Sequence, residues 1–586
     1  MIPGFLAIIR PADPAGAAWI TRLVGVAARD LGLAPIFQND RLQVLANAAA
    51  AVTMIGEGGG VVLGTLFRRN GGTGRHDVQD GPLDKSVGGS AGDDLLCRWW
   101  GGYVAFIIDG DRSAIHVLRD PSGGTPCYHC EAQGAHVYFS DIDIARALGL
   151  IAPRLDPLFV AHYLAYSDLR TARTGLVGVE EVLAGTRQSH DAGGAVASRR
   201  RWTPWAFAAA DQQIQDRGQA VERVRAETQR CVSAWASRSR YLRLELSGGL
   251  DSSIVAACLR DQGAAVACAT LVTPDPGADE RRYARCVSQS IGAPLEEIML
   301  DPTAGDVRDA PRILSPRPGM GIFQQVLDSA FTDRASGVDA FFTGSGGDNV
   351  FCYLNTAAPA ADVLRTNGPG PLFLRTVGDL AALHGCTMWR AGELAVRKAL
   401  RRPGSWRLDP LFLSKAAIPA GPEHHPWLDT PRGALPGKRE HIAALMRIQN
   451  APDGKARHAL APVRYPLLSQ PLVELCLTVP SWMWITGGRN RSLARDAFAG
   501  RLPTPVLERT TKGDFTGFMG AIYDRQRSAV ADLLLGGWLA RQGLLDLPAV
   551  EAYLAATDPS KDVNFYRLLE LAGVEIWARS WLELTA

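Results

Sequence analysis

The chain has 586 residues, of which 47% are hydrophobic and 21% charged, and its 62 basic side chains nearly balance its 60 acidic ones. This composition excludes a disordered chain and a coiled coil, and the length predicts roughly two to four domains. A net charge of +2 supplies no extended positive field, so nucleic acid is not expected as a partner.

No apolar run reaches the roughly 18 residues that a membrane helix needs, and the first ten residues lack the basic segment of a signal peptide. The 10 cysteines are scattered along the chain, a pattern typical of free thiols in a reducing compartment. We therefore expect a cytoplasmic protein without a membrane span.

The N-terminal part carries short strand-like runs separated by turn residues. Tyr103–Ile108, Ala114–Leu118 and His136–Ser140 are apolar or alternating, whereas Pro157–Tyr166 has helical spacing. These runs predict an α+β domain built on a mixed or antiparallel sheet. We place its boundary near residue 205, which predicts one domain over 1–205 and a second over 206–586.

From about residue 240 the pattern changes to strands alternating with helices, which is typical of a parallel α/β sheet. The predicted strands are Tyr241–Leu246, Ala265–Val272, Glu297–Leu300 and Val338–Thr343, and the predicted helices are Ser252–Arg260, Asp279–Ile291 and Phe323–Phe331. Ligands of such sheets bind beyond the carboxyl ends of the strands, so loops 247–252 and 344–349 are candidate sites. The segment 355–440 resists assignment, and helices are predicted to dominate from His441 onward.

The loop after the first of these strands has the composition of a phosphate cradle. Gly248 and Gly249 allow backbone N–H groups to approach an anion, Ser247 and Ser252 add hydroxyl donors, and the next helix offers its positive end. Asp251 would repel phosphate unless a divalent cation lay between them, which predicts a Mg²⁺ ligand. A Walker A loop, G-x-x-x-x-G-K-[ST], does not occur in the sequence.

Two segments carry a family resemblance. Ser247–Ser252 resembles the SGGxDS loop of the N-type ATP pyrophosphatases, and Thr343–Phe351 resembles the second phosphate and metal loop of asparagine synthetase C-terminal domains. The resemblance implies ATP and Mg²⁺ as cofactors, with Asp251 and Asp348 as metal ligands. It assigns nucleotide contacts to Leu246, Ser247, Gly248, Gly249, Asp251, Ser252, Gly344 and Gly346. Leu271 is added because Leu271–Thr273 resembles the part of that family's second strand that receives adenine.

Lysine is scarce, since only 7 of the 62 basic residues are Lys. Arg509–Gly513 resembles the late segment of the same family that holds an essential lysine, here Lys512. The resemblance makes Lys512 a catalytic residue beside Asp251 and Asp348. A compact ammonium charge can stabilise departing pyrophosphate and an oxyanion formed when the acyl-adenylate is attacked.

The N-terminal part is also similar to this family, through Gly101–Phe106 and Arg119–Tyr128, which resemble its glutaminase domain of N-terminal-nucleophile (Ntn) type. A working glutaminase needs Cys as its first residue, whereas this sequence starts at Met1. We therefore expect a degenerate glutaminase-like sandwich that lacks the nucleophilic Cys and does not hydrolyse glutamine.

Without glutamine hydrolysis, the attacking nitrogen must come from elsewhere, and an amine on the substrate is one source. The segment Gly346–Cys352, with Asn349 where asparagine synthetases carry Glu, resembles the lasso-peptide cyclase branch. That resemblance implies an enzyme that adenylates an Asp or Glu side chain of a ribosomal core peptide and joins it to the N-terminal amine. It also implies a leader peptidase as partner. An ammonia-dependent asparagine synthetase, a β-lactam synthetase-like ligase and a non-catalytic nucleotide-binding scaffold remain alternatives.

Overall fold

The computed structural model describes residues 3–10, 17–69, 81–110, 113–260, 262, 264–319, 321–332, 337–401, 404, 406–451, 453, 455–511, 513–556 and 562–584. Within these ranges, the strands gather into two antiparallel sheets near the N-terminus and one parallel sheet in the later part of the chain. None of the described helices combines the length and the apolar character needed to cross a membrane.

The N-terminal part is built on two sheets of six described strands each, ordered β10-β8-β9-β1-β3-β2 and β12-β11-β7-β6-β5-β4. The strands are β1 (Phe5–Ile9), β2 (Ala34–Gln38), β3 (Leu42–Ala46), β4 (Val52–Ile55), β5 (Gly60–Arg68), β6 (Trp99–Ile108), β7 (Ile115–Arg119), β8 (Tyr128–Ala132), β9 (Ala135–Phe139), β10 (Glu180–Glu181), β11 (Thr186–His190) and β12 (Val196–Arg200). The accompanying helices are α1 (Ala17–Leu31), α2 (Ser86–Gly89), α3 (Asp93–Arg98), α4 (Ile142–Ala147), α5 (Pro157–Ala165) and α6 (Trp205–Ala208).

Apolar side chains from both sheets meet between them. Phe5 on β1 and Tyr138 on β9 each pack edge-on against Phe106 on β6, with ring centroids 5.8 and 6.0 Å apart. All three rings are buried in one core that draws on both sheets. The N-terminal part is therefore a sheet-on-sheet sandwich with helices, which confirms the α+β prediction.

The later part of the chain forms a parallel sheet in the order β15-β14-β13-β16-β17. Its strands are β13 (Tyr241–Glu245), β14 (Ala265–Val272), β15 (Leu295–Met299), β16 (Ala340–Phe342) and β17 (Val463–Arg464), and the helices up to residue 350 are α7 (Arg217–Ala236), α8 (Leu250–Leu259), α9 (Arg281–Ser290), α10 (Ile322–Thr332) and α11 (Gly347–Val350). The chain first builds outward from β13 through β14 to β15, then returns to the other side of β13 at β16. Strand order thus reverses between β13 and β16, where open α/β sheets bind ligands. The predicted parallel α/β sheet is confirmed.

The segment 355–440 is helical over much of its length, although its sequence gave no assignment. The helices beyond residue 350 are α12 (Ala358–Asn367), α13 (Pro371–His384), α14 (Met388–Leu400), α15 (Pro436–Ile448), α16 (Gln470–Thr478), α17 (Ser492–Ala497), α18 (Thr504–Leu507), α19 (Thr516–Leu535), α20 (Trp538–Arg541), α21 (Leu547–Ala555) and α22 (Phe565–Glu583). Pro359 and Pro371 lie in the first turns of α12 and α13, and Gly385 ends α13 with a left-handed φ of +60°. The residues that obscured the pattern are helix starts and stops rather than breakers.

A buried charge cluster joins the sandwich to the later part of the chain. The Glu181 carboxylate accepts hydrogen bonds from three guanidinium groups, from Arg119 Nη1 at 2.6 Å, Arg170 Nη2 at 2.7 Å and Arg317 Nε at 3.0 Å. Arg170 also forms an ion pair with Asp453 at 2.6 Å. Burial alone would raise the pKa of Glu181, but the three guanidinium charges hold it well below its usual range. The sequence boundary at residue 205 remains a prediction, and ion pairs cross it.

Candidate active site

The first glycine-rich loop connects β13 to α8. Gly248 has a left-handed φ of +70°, and a Cβ there would lie 2.5 Å from Cβ of Tyr283 and 2.6 Å from the backbone N of Ala284. Only glycine fits this position without moving the start of α9. The Ser247 hydroxyl accepts the Gly249 N–H at 3.2 Å. The loop is thus a tight turn that leads directly into the positive end of α8.

The second glycine-rich loop connects β16 to α11 and packs directly on the first. A Cβ at Gly344 would lie 2.4 Å from the backbone N of Ser252, and one at Gly347 would lie 2.3 Å from Cγ of Asp251. Gly346 has a left-handed φ of +93°. The two loops approach closely because their contact positions lack side chains.

We expect Gly344→Ala to weaken ATP binding by an order of magnitude and to lower the free energy of unfolding by about 1–3 kcal/mol. The new methyl group would meet the Ser252 backbone, which cannot rotate away, so α8 must shift. Isothermal titration with ATP and thermal unfolding measure the two effects. Gly421→Ala is the matched control, because a Cβ there has no heavy atom within 4 Å. Equal behaviour of the two variants would contradict the contact between the loops.

Two carboxylates converge on one cationic group at the ends of β13 and β16. Arg491 Nη1 lies 3.0 Å from both carboxylate oxygens of Asp251 and 2.5 Å from Oδ1 of Asp348. A single positive atom therefore satisfies both carboxylates, so a divalent cation with oxygen ligands fits the same space. Among the residues that the structure describes, no group of three or more His, Cys, Asp or Glu side chains could hold a metal. Substrate phosphates would have to complete the coordination of such a cation.

Arg491 is held in an unusual backbone conformation. Its φ is +50°, a left-handed value that a non-glycine residue rarely adopts, at the residue before α17. Its guanidinium also lies 5.2 Å from the ring centroid of Tyr353, within the range of a cation–π contact. Strained backbone at a charged, partly buried residue is typical of functional sites.

The two loops open into a cavity of about 500 Å³, which we call the loop cavity. Its walls include these residues singled out from the sequence: Leu246, Ser247, Gly249, Asp251, Ser252, Leu271, Gly344, Gly346 and Asp348. Gly248 lies behind the wall, where its carbonyl accepts Arg509 Nη1 at 3.3 Å. Lys512 lies outside the described residues, while its neighbours Thr510 and Thr511 line the cavity.

Several charged residues of the loop cavity were not named as site residues from the sequence. Arg509 Nη2 pairs with Glu280 at 2.5 Å, and Glu280 also accepts the Gly513 N–H at 3.0 Å, which fixes the segment on both sides of residue 512. Arg495, on α17, donates hydrogen bonds to the carbonyls of Leu507 and Arg509 and so connects α17 to the segment before residue 512. Arg509 belongs to the segment Arg509–Gly513 that carries the family resemblance, whereas Arg495 lies outside any motif.

A second set of charged side chains that the sequence did not single out lies at the end of β13. Arg457 pairs with Glu245 and lies 2.9 Å from Oδ1 of Asp328, and Lys455 lines the same cavity. Burial lowers the pKa of Lys455, and burial raises that of Asp328. The scarcity of lysine was a signal that could have drawn attention to Lys455 as well as to Lys512.

A curated relative, the carboxyethyl-arginine beta-lactam-synthase of Streptomyces clavuligerus, is 30% identical over 207 residues. The alignment covers 35% of this chain and 36% of that protein, so the chain spans about a third of the relative's length.

Similar solved structures include one described as the allosteric regulatory enzyme of purine biosynthesis, at 9% identity over 52% of this chain and 76% of that chain, with a TM-score of 0.20. Another is the glutamine phosphoribosylpyrophosphate amidotransferase of B. subtilis, at 12% identity over 59% of this chain and 77% of that chain, with a TM-score of 0.21. TM-scores of this size establish no shared fold.

The family model described as asparagine synthase matches residues 223–579, which is more than half of the chain. The matched region contains the parallel sheet, both glycine-rich loops and the paired carboxylates. The chain belongs to the asparagine synthase family.

Proposed function

We propose that this protein is an ATP-dependent, AMP-forming amide ligase of the lasso-peptide cyclase type. It adenylates an Asp or Glu side chain of a leader-cleaved core peptide and joins it to the peptide's N-terminal amine as an isopeptide bond. The observation that carries the proposal is the convergence of Asp251 and Asp348 on one cation position between two phosphate-binding loops. Family membership supports the same ATP-dependent chemistry.

ATP is held by the residues of the loop cavity. The Ser247 and Ser252 hydroxyls, 3.2 Å apart, and the N–H groups at the start of α8 face the phosphates, and Leu271 at the end of β14 contacts the adenine. Asp251 and Asp348 would hold Mg²⁺, and when bound it neutralises charge on the triphosphate. Lys512 supplies a further positive charge for pyrophosphate as it leaves.

The proposed reaction has two steps, adenylation of the carboxylate and attack by the amine. A side-chain carboxylate oxygen of the peptide attacks the α-phosphorus of ATP, and the α–β phosphoanhydride bond breaks to release pyrophosphate. The neutral N-terminal amine then attacks the acyl carbon, AMP leaves and the amine loses one proton. An α-amine has a pKa of roughly 7.7–8.0, so an appreciable fraction is neutral near pH 7.5 without a strong base. The protein's main contribution is to hold both ends of the peptide within reach.

The assignment to a peptide substrate rests on the segment Gly346–Cys352. Asn349 in this segment donates its Nδ2–H to the carbonyl of Ala444 at 2.8 Å, which anchors the second loop to α15. An amide serves this anchoring role without adding a third carboxylate to the cation position. A leader peptidase is the partner that this assignment requires, because the reacting amine exists only after the leader is removed.

A β-lactam-forming ligase is the second candidate. The 30% identity to the carboxyethyl-arginine beta-lactam-synthase over 207 residues favours it. In that reaction class the attacking amine also belongs to the substrate, so the loop cavity would act in the same way. The two candidates differ in the size of the acyl substrate.

The candidate functions can be distinguished by measuring pyrophosphate release from ATP and Mg²⁺ in the presence of each of three substrates. These are a precursor peptide encoded beside this chain together with its peptidase, a small β-amino acid, and aspartate with ammonia. Peptide-dependent release, with a product lighter by one water, is the expected result. Release with the β-amino acid alone would instead identify the β-lactam-forming ligase, and release with aspartate and ammonia an asparagine synthetase. ATP binding without release in any arm would leave a non-catalytic scaffold.

A further inference from the structure

A second cavity, of about 660 Å³, lies between α14, α15 and the chain around residues 404–430. The basic side chains on its described walls are Arg397, Lys398, Arg401, Arg407, Arg439 and Arg447, whereas Glu440 is its one described acidic wall residue. We call it the basic cavity. Its volume is that of a site for a ligand much larger than a single amino acid.

Four of the six basic side chains form no ion pair among the described residues. Lys398 pairs with Glu440, and Arg397 pairs with Glu393 at 3.3 Å. No carboxylate of the described residues forms an ion pair with any of the other four, which are Arg401, Arg407, Arg439 and Arg447. Burial, and then the positive charge of Arg365, lowers the pKa of Arg439. Six basic side chains against one acidic side chain on the described walls form a region of positive potential suited to several anionic groups.

Fixed aromatic rings form another wall of the basic cavity. The Trp406 indole N–H donates to the carbonyl of Ser167 at 3.0 Å, and the Arg447 guanidinium lies 5.1 Å from the Trp406 ring centroid. The Trp205 indole N–H donates to the carbonyl of Trp427 at 2.8 Å. The rings are therefore held in place before any ligand binds, so the cavity is rigid on this side.

The basic cavity adjoins the loop cavity. Tyr353 lines the loop cavity and Asn355 lines the basic cavity, and two residues of chain span at most about 7 Å. On α15, Ile448 lines the loop cavity while its neighbour Arg447 lines the basic one. The two cavities therefore adjoin at the segment 353–355 and at α15.

We infer that the basic cavity binds a carboxylate-rich segment of the peptide substrate and presents the neighbouring reactive groups to the loop cavity. This inference rests on the proposed function, because it treats the ligand as the molecule that is adenylated. Arginine forks pair with carboxylates in a directed, bidentate way, which suits side chains spaced along a peptide. A single-stranded nucleic acid is disfavoured by the near-neutral charge of the whole chain.

The test measures fluorescence anisotropy of labelled Gly/Ser dodecapeptides that carry no, two or four glutamates, without ATP. We expect the four-glutamate peptide to bind about tenfold more tightly than the neutral one, and the double variant Arg401→Ala/Arg407→Ala to lose this difference. Both arginines are exposed, so the fold should survive. Arg447→Ala serves as a second variant with the same expected direction. Arg390→Ala on α14 is the control, since Arg390 pairs with Glu393 and is outside the cavity.

Equal binding of neutral and acidic peptides, or an unchanged preference in both arginine variants, would overturn the inference. Tighter binding of a dodecamer of thymidylate than of the four-glutamate peptide would do so as well. Pyrophosphate release is measured separately on the same preparations. Acidic-peptide binding without any ATP turnover would contradict the proposed function while leaving the site in place, whereas ATP turnover without acidic-peptide preference would remove only the site.

Discussion

Asp251→Asn is expected to lower the rate of ATP-dependent pyrophosphate release by roughly a thousandfold, the scale seen when one group that stabilises a charged transition state is lost. Asp251 provides both of its carboxylate oxygens to the cation position that it shares with Asp348. An asparagine keeps the size of the side chain but removes the negative charge. The measurement is a coupled pyrophosphate assay with the substrate that proves active.

The Mg²⁺ dependence of the same variant distinguishes loss of a metal ligand from general damage to the fold, because damage to the fold would not change the Mg²⁺ concentration needed for half-maximal activity. We expect Asp251→Asn to need a higher Mg²⁺ concentration for half-maximal activity, because one anionic oxygen donor is missing. Asp524→Asn, an exposed carboxylate on α19 that does not line the loop cavity, is the control. A variant with near wild-type rate and unchanged magnesium dependence would rule out the role of Asp251 as a metal ligand.

Glu181→Ala is expected to destabilise the protein by about 3–5 kcal/mol, the usual cost of leaving buried charges without a partner. The substitution would leave the buried guanidinium groups of Arg119 and Arg317 without a carboxylate and Arg170 with Asp453 alone. The midpoint of thermal unfolding should therefore fall by several degrees. Glu180→Ala is the control, because that adjacent side chain is exposed and forms no ion pair among the described residues. Equal midpoints for the two variants would contradict this account of the cluster.

The same carboxylate predicts a pH dependence. The pKa of Glu181 is lower in the folded protein than the value of about 4.3 in an unfolded chain. Its contribution is therefore fully present above pH 4.3 and is lost as pH falls toward the folded pKa. Thermal midpoints of the wild type and Glu181→Ala should differ most near pH 7 and approach each other in acid. A gap that stays constant from pH 7 to pH 3 would contradict this assignment.

Local sequence signals predicted the parallel sheet and the position of its loops well. The strand before Ser247, the small residues at positions 248 and 249 and the helix after them are adjacent in the chain, so their pattern is visible without tertiary structure. The same holds for β16 and the loop at Gly344. Because both loops follow parallel strands, the meeting of Asp251 and Asp348 could be expected from topology alone.

The charged lining of the loop cavity could not be predicted in this way. Arg491 follows Asp251 by 240 residues, and Arg457 reaches the cavity from the 3₁₀ turn Ala456–Ala459. Neither belongs to a periodic pattern, because each is positioned by packing between elements far apart in the sequence. The helices of 355–440 were missed for a local reason, since prolines in their first turns resemble breaks when the termini are unknown.

The Glu181 cluster also makes the stability of the later part of the chain depend on the N-terminal sandwich. Cutting the chain near residue 205 would leave Arg317 without its carboxylate and would expose the carbonyl groups of Thr171 and Arg173 that its guanidinium now satisfies. Buried ion pairs and hydrogen bonds therefore tie the N-terminal part to the later part of the chain. We therefore expect residues 206–586 expressed alone to unfold at a lower temperature than the same residues in the whole chain.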